Sequence, residues 1–484
     1  MNAHLEELDP PLLWQHFRVF CDTPRPSWHE DTILSKIEAW ADERGFDYER
    51  DEANNLLIRK PASPGCEHAP SVALQGHVDM VAEADAGIDH DFTTDPIATF
   101  VEDGWLKARG TTLGADNGIG AAAALAILDD TELAHGPLEV LLTVAEEVSL
   151  VGAANLAPNW LSSRYLLNLD TEEENEVTIG CAGGANVTTE TELSLQPLEG
   201  NLTVFKLGVH GLTGGHSGMD IHTGRASANR LLARALHHLL GHGLRLIDYD
   251  GGRMDNAITR AAWATVAIPD TAFDTATAAL VELEQVFKKE LAGVDANVTI
   301  GQERADAQNA LTQADTQRLV NLLYGLPFGV ERMSVAAPGV VETSNNIGVV
   351  QVANGLFTAQ LMVRSLVDSA RDALAERIAT LFELAGFIPN RERGYPGWAP
   401  DPKSDLLARF VDIHERVTGD KPEVKVIHAG LECGLIGAKY PNMQMISFGP
   451  TIRGAHSPTE RVDLAAVANF HAVLRATIND LAQP

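Results

Sequence analysis

Two stretches of the chain, LEVLLTVA at 138–145 and RYLLNL at 164–169, run apolar almost without a break over strand length. A strand buried on both faces reads this way, whereas a strand with one wet face alternates. NLLIRK at 55–60 and SVALQG at 71–76 read as further strands. Helical patterns lie among them. DTILSKIEAWADERG at 31–45 sets Ile33, Ile37 and Trp40 at helical spacing and stops at Gly45. GIGAAAALAILDD at 118–130 reads as a helix of small residues that packs closely. Apolar strands alternating with helices predict an α/β fold, a mostly parallel sheet with helices on both faces.

The pattern changes near residue 195. NLTVFKLGVHG (201–211) alternates more, and RAAWATVAIP (260–269) is another strand. GRASANRLLARALHHLL (224–240) and TATAALVELEQVFKKEL (275–291) read as helices, the second with Leu280, Leu283, Val286 and Leu291 on or near one face. A second series follows in NALTQADTQRLVNLLYGLP, GLFTAQLMVRS and SARDALAERIATLFELAGF. GYPGWAPDPKS at 394–404, rich in proline and glycine, marks an exit. After it a helix, a strand and a final helix resume the first pattern. The expectation is one domain built from residues 1–195 and 397–484. Residues 196–396 form an inserted α+β domain of two similar units.

Composition narrows the partners. The 484 residues carry 36 basic against 67 acidic side chains, a net charge of −31. Nucleic acid and anionic membranes both need basic surface, so neither is expected as a partner. The start, MNAHLEELDPPLLWQHF, lacks the basic and apolar stretches of a signal peptide. The longest apolar run, 118–128, is too short to cross a bilayer. Cys21, Cys66, Cys181 and Cys433 are scattered, with no CxxC pair, and read as reduced thiols. A cytoplasmic protein is expected.

Chemistry collects where apolar strands end. VALQG leads to His77 and Asp79, LEVLLTVA to Glu146 and Glu147, YLLNL to Asp170, and MQMISFG through a loop to His456. Asp116, in GTTLGADNG, stands just before the small-residue helix. In open α/β sheets ligands bind at the carboxyl ends of strands, so these groups are expected on one rim. A lone acid there is ordinarily solvated or caps a helix, and a lone histidine is ordinarily a satisfied polar residue. Their joint occurrence changes the reading, because such a crowd of carboxylates repels itself unless cations neutralise it. Imidazole and carboxylate together suit zinc. Five ligands exceed one tetrahedral ion but suit two ions sharing a carboxylate.

GHVDMV, GTTLGADNGIG, TVAEEVSLVGA, LNLDTEE and GAHSPTERV resemble the metal-site motifs of the dizinc aminoacylase/carboxypeptidase superfamily. VHGLTGGHSG, HAGLECG and SFGP narrow the resemblance to the bacterial aminoacyl-histidine (Xaa-His) dipeptidases, also described as cytosolic non-specific dipeptidases. It runs from about residue 5 to the end of the chain. The resemblance implies a zinc-peptidase-like catalytic domain with the insert as its lid. It implies His77 and Asp170 on one zinc, Glu147 and His456 on the other, and Asp116 bridging. Asp79 would orient His77, and Glu146 would serve as general base toward a zinc-activated water. It also implies a cis Asp116–Asn117 peptide. In the insert, His216 would stabilise the oxyanion, while Asn256 and Arg364 would hold the substrate's terminal carboxylate.

The function expected is a metal-dependent dipeptidase acting on unblocked dipeptides, Xaa-His among them. Cobalt or manganese could replace the two zinc ions. The alternatives are an N-acyl-amino-acid amidohydrolase on the same scaffold and a catalytically silent zinc-binding scaffold. A homodimer is left open, because the doubled insert could supply His216 within one chain. Glu432 is a further candidate, as receptor of the free amino end.

Overall fold

The computed structural model describes residues 2–392 and 394–483. The chain forms two compact units. One runs up to Cys181 and resumes over Trp398–Val426 and from Leu431 onward; the other is Ala182–Gly397 with Ile427–Gly430.

The first unit is built on an eight-stranded sheet whose four inner strands are parallel neighbours, in the order Leu138–Thr143, Val72–His77, Tyr165–Asn168, Gln444–Ser447. Every side chain of Val72–His77, Leu138–Thr143 and Tyr165–Asn168 is buried, as strands covered on both faces require. The outer pairs Asp47–Arg50 with Leu56–Lys60, and Leu56–Lys60 with Leu138–Thr143, are antiparallel.

The helix Ala115–Asp129 is buried along almost its whole length, and its alanines let it lie close against the sheet. Gly76 and Gly120 mark that approach. A Cβ on Gly76 would strike Asn117 Oδ1, and one on Gly120 would strike the Leu169 carbonyl. The last helix, Leu464–Leu481, starts where Asp463 accepts from the amides of Ala465 and Ala466. Trp14, Phe17, Phe20 and Leu74 belong to this unit's core. Phe448 packs between Phe410, tilted against it, and Phe470, edge-on, at centroid distances of 4.6 and 5.6 Å.

The second unit holds a nine-stranded sheet in which all recorded pairings are antiparallel. Its two halves, each with two helices, join where Tyr249–Gly251 pairs with Val350–Val352. Its core includes Leu232, Leu236, Val266, Phe357 and Phe382. The unit begins at Ala182, ahead of the break that patterning puts at 195/196. Strand Gly183–Glu192 pairs along its length with Leu356–Ser365 and so belongs to the second sheet.

Candidate metal centre

Four neighbouring parallel strands deliver their chain ends to one rim of the first unit. His77 is the last residue of its strand and Asp79 follows in the turn. Beyond Leu138–Thr143, Ala145 turns the chain through a positive φ of 48° ahead of Glu146 and Glu147. Asp170 lies two residues past Tyr165–Asn168. His456 stands in the loop after Gln444–Ser447, also at positive φ, 61°. Asp116 opens the buried helix in a non-helical conformation, and its peptide to Asn117 is cis.

The carboxylate of Asp116 faces both imidazoles. Its Oδ1 lies 3.1 Å from His77 Nε2 and its Oδ2 lies 3.1 Å from His456 Nε2. Asp170 Oδ1 stands 3.5 Å from His77 Nε2, and Glu147 Oε2 stands 3.0 Å from His456 Nε2. The structure thus brings His77, Asp116, Asp170, Glu147 and His456 together in one site. Three groups of ligand atoms lie within 4.8 Å of one another: His77–Asp116–Asp170, His77–Glu146–Glu147 and Asp116–Glu147–His456.

Asp79 is fully buried and engages both sides of this cluster. Its Oδ1 lies 3.3 Å from His77 Nδ1, which leaves Nε2 for the site. Its Oδ1 also accepts from the Glu146 amide at 3.1 Å, and its Oδ2 accepts from the Glu147 amide at 3.3 Å and from Ser27 Oγ at 2.8 Å. One carboxylate therefore orients an imidazole and the two consecutive glutamates.

Beneath the rim a buried polar chain crosses the sheet. Gln75 Nε2 donates to Glu432 Oε2 at 2.6 Å, and Thr143 Oγ1 donates to the same oxygen at 2.9 Å. Asn168 Nδ2 donates to Gln75 Oε1 at 2.6 Å, and Ser447 Oγ donates to Asn168 Oδ1. All these donors point toward Glu432, whose Oε1 is buried without a partner.

The electrostatics show what the cluster lacks. Burial raises the carboxyl of Glu146 well above its usual range, and nearby Asp170, Glu432 and Glu147 add to the shift. Burial takes Asp170 up to about 8 and Glu432 to about 6. Burial alone would lower His77, but Asp170, Asp116 and Asp79 outweigh it and hold the ring well above its ordinary value. Hydrogen bonds to Asp116 and Glu147 carry His456 up to about 11. Protons are thus held where positive charge is wanted. Cations that displace protons from such ligands satisfy the same demand. Glu147 Oε1 and Asp170 Oδ1 are buried without hydrogen-bond partners, as free ligand atoms would be. The mixed imidazole and carboxylate donors fit a pair of divalent metal ions.

The second unit carries the other predicted residues in a polar cluster of its own. Arg364 is 4% exposed, donates from Nε to Ser217 Oγ at 3.3 Å and from Nη1 to Tyr395 Oη at 2.9 Å. No carboxylate among the described residues pairs with it, so its charge is uncompensated by the fold. His216 sits in a two-residue strand paired with Ala257, and the Asn256 carbonyl accepts from the Ser217 amide at 2.8 Å. His216 Nδ1 accepts from the Gly218 and Met219 amides at 3.2 and 3.0 Å, which leaves the proton on Nε2. Burial, with Arg364 adding, lowers its pKa and keeps the ring neutral. His428 is buried behind them, its Nε2 2.8 Å from Ser344 Oγ.

Reading the sequence alone misses Arg25, Gln75, Asn168, Ser217, Tyr395, His428 and Glu460. Gln75, Asn168, Ser217, Tyr395, His428 and Glu460 lie inside quoted segments, but as single polar residues among apolar or turn neighbours they carry no spacing signal. Arg25 has none at all.

A family model described as Peptidase family M20/M25/M40 matches residues 73–480. The cytosol non-specific dipeptidase of Escherichia coli (strain K12) is 42% identical over 484 residues, 99% of this chain and 99% of that protein. The crystal structure of an aminoacylhistidine dipeptidase from Vibrio alginolyticus matches with a TM-score of 0.93 at 43% identity, covering 99% of this chain and 98% of that one. An aminopeptidase PepT from Bacillus cereus shares the fold at a TM-score of 0.56 and 16% identity, covering 98% of this chain and 100% of that one.

Proposed function

This chain belongs to peptidase family M20/M25/M40, and on that premise we propose that it is a cytoplasmic dizinc dipeptidase that hydrolyses unblocked dipeptides, Xaa-His among them. The observation that carries the reading is Asp116, with one carboxylate oxygen toward each of two imidazoles. His77 and Asp170 would hold one ion, Glu147 and His456 the other, and Asp116 would be shared.

When bound, such a pair supplies Lewis acidity toward the scissile carbonyl and lowers the pKa of a water from about 15.7 to about 7. The chain's own groups do the rest. Glu146 takes the proton of the attacking water on its carboxylate and hands it to the leaving nitrogen. Its burial fits that task, because a raised pKa makes the carboxylate a better base. Asp79 fixes the His77 ring with Nε2 toward the ligands and holds the Glu146 and Glu147 amides in place. In the second unit, Arg364 offers a buried fork that matches a carboxylate and would take the substrate's C-terminal group, together with Asn256. His216, neutral with the proton on Nε2, is suited to donate to an oxyanion. Cys21, Cys181 and Cys433 are buried thiols, which accords with a reducing compartment. Among the described residues no helix is long and apolar enough to cross a membrane.

The test is a panel of free and N-acetylated dipeptides against chelated and zinc-restored enzyme, with Glu146→Ala alongside. Free dipeptides turn over only in the restored enzyme, and Glu146→Ala loses about 10²–10⁴-fold in kcat. Full turnover by that variant removes Glu146 from its role. Preference for the acetylated series converts the reading to an amidohydrolase.

A further inference from the structure

We propose that Glu460 is a positioning residue: it holds the backbone of residues 113–116 so that the Asp116 carboxylate stands between the two imidazoles. The proposal rests on the metal-site reading above.

Residues Leu113, Gly114, Ala115 and Asp116 present four consecutive backbone N–H groups, and all four end on one buried carboxylate. Glu460 Oε2 accepts from Leu113 at 2.7 Å and Gly114 at 2.9 Å. Its Oε1 accepts from Ala115 at 2.8 Å and Asp116 at 3.2 Å. The last of these donors is the amide of Asp116 itself. Only an ionised carboxylate offers acceptor sites for four donors at once. Glu460 is 3% exposed, so water does not stand in for it.

Glu460 follows His456 by four residues in the same loop. The segment that brings one imidazole therefore also grips the segment that brings the shared carboxylate, so the spacing between them does not depend on the sheet alone. Arg25 works on the opposite polarity. It is 1% exposed, and its Nη1 donates to the carbonyls of Val78 at 2.8 Å and Asp79 at 2.9 Å while Nη2 donates to Gly114 at 2.5 Å. Gly114 is thus held from both sides, its N–H by Glu460 and its carbonyl by Arg25, at a φ of 68°. A side chain there would strike Arg25 Nη2. The turn after His77, the turn before Asp116 and the His456 loop become one unit. Metal ligands must sit within about 0.2 Å of their preferred distances, so loosening this strap weakens both ions together.

The experiment is a zinc titration of chelated enzyme against a chromophoric competitor, for the parent, Glu460→Gln and Glu460→Asp. The glutamine keeps the shape but replaces one acceptor oxygen with a donor; the aspartate keeps the charge but is a methylene short. Both should bind the two equivalents about 10–100-fold more weakly, while circular dichroism shows them folded without metal. A folded Glu460→Gln that takes up both equivalents with parental affinity overturns the proposal. A parent that binds no zinc overturns the metal-site reading instead, and this inference with it. Should both variants fail to fold, hydrogen exchange of the metal-free parent decides. Protection of the amides of 113–116 supports the strap, and rapid exchange there overturns it.

Discussion

Replacing Asp79 by asparagine separates the orientation of an imidazole from the presence of a metal ligand. The carboxylate is fully buried and meets four groups: His77 Nδ1 at 3.3 Å, the Glu146 amide at 3.1 Å, the Glu147 amide at 3.3 Å and Ser27 Oγ at 2.8 Å. An asparagine can place its NH₂ at either oxygen. At Oδ1 it would confront His77 Nδ1–H and the Glu146 amide, two donors against a donor. At Oδ2 it would confront the Glu147 amide and Ser27, whose hydroxyl can rotate to accept. The second arrangement costs less, leaving one buried amide short of an acceptor, about 1–3 kcal/mol. His77 then faces a neutral carbonyl instead of a carboxylate, roughly halving a charge-assisted contact. Zinc affinity should fall about tenfold, near 1.4 kcal/mol. Asp79→Ala, which strands all four partners, should fall nearer 100-fold. Chelator competition on folded, metal-free protein measures this, with denaturant unfolding run separately for the stability term. The reasoning is refuted if Asp79→Ala binds two equivalents as tightly as the parent and turns over as fast.

Three further outcomes follow from the same geometry. Arg364→Ala removes a buried guanidinium with no acidic partner among the described residues. It should raise KM for free dipeptides about 10–100-fold, the range of a charged hydrogen-bonding pair, with a smaller effect on kcat; an unchanged KM in steady-state assays removes it from substrate binding. Gly120→Ala puts a methyl against the Leu169 carbonyl and the Asn117 amide, and should lower stability by about 1–3 kcal/mol in denaturant melts; a neutral result means the helix slides freely. Burial, with Arg475 adding, lowers His471 to about 4, against about 6.5 for an unfolded imidazole. The neutral ring is therefore stabilising above pH ~6.5, and that contribution, of order 3 kcal/mol, is lost as pH falls toward 4. His471→Gln should flatten unfolding free energy between those pH values, and a parental slope would contradict the shift.

His77, Glu146, Glu147 and Asp170 were readable because each stands at or just past the end of an apolar run. A histidine, an aspartate or a glutamate pair directly after a fully hydrophobic strand breaks the local rule, and three such breaks on strands that prove to be parallel neighbours point to one rim, to which the loop after the fourth strand brings His456. What holds the ligands was not readable. Glu460 reaches residues 344–347 positions away, and Arg25 reaches Gly114 across 89. No periodicity links a lone acid to four backbone amides. The start of the second unit was obscured for a related reason. Gly183–Glu192 carries threonine and glutamate at positions that face outward or line a partner strand, a pattern shared with polar linkers. Only its pairing with Leu356–Ser365 identifies it.

The charge at the rim bears on which substrates it accepts. Asp79, Asp116, Glu146, Glu147, Asp170 and Glu432 are six carboxylates at or just under the site; a seventh, Glu460, is offset by the buried Arg25, whose hydrogen bonds go to the carbonyls of Val78, Asp79 and Gly114. Two divalent cations neutralise four of the six negative charges. A residual negative charge remains in a buried place, where it is costly unless a positive group joins it. The ammonium of an unblocked dipeptide brings that charge; an acylated nitrogen brings none. The same excess of acid that calls for metal ions therefore favours a free amino terminus, which sets the dipeptidase reading ahead of the amidohydrolase. Since the amine titrates near pH 8, discrimination between free and acetylated substrates should weaken as pH rises past that value, while the metal-dependent chemistry continues.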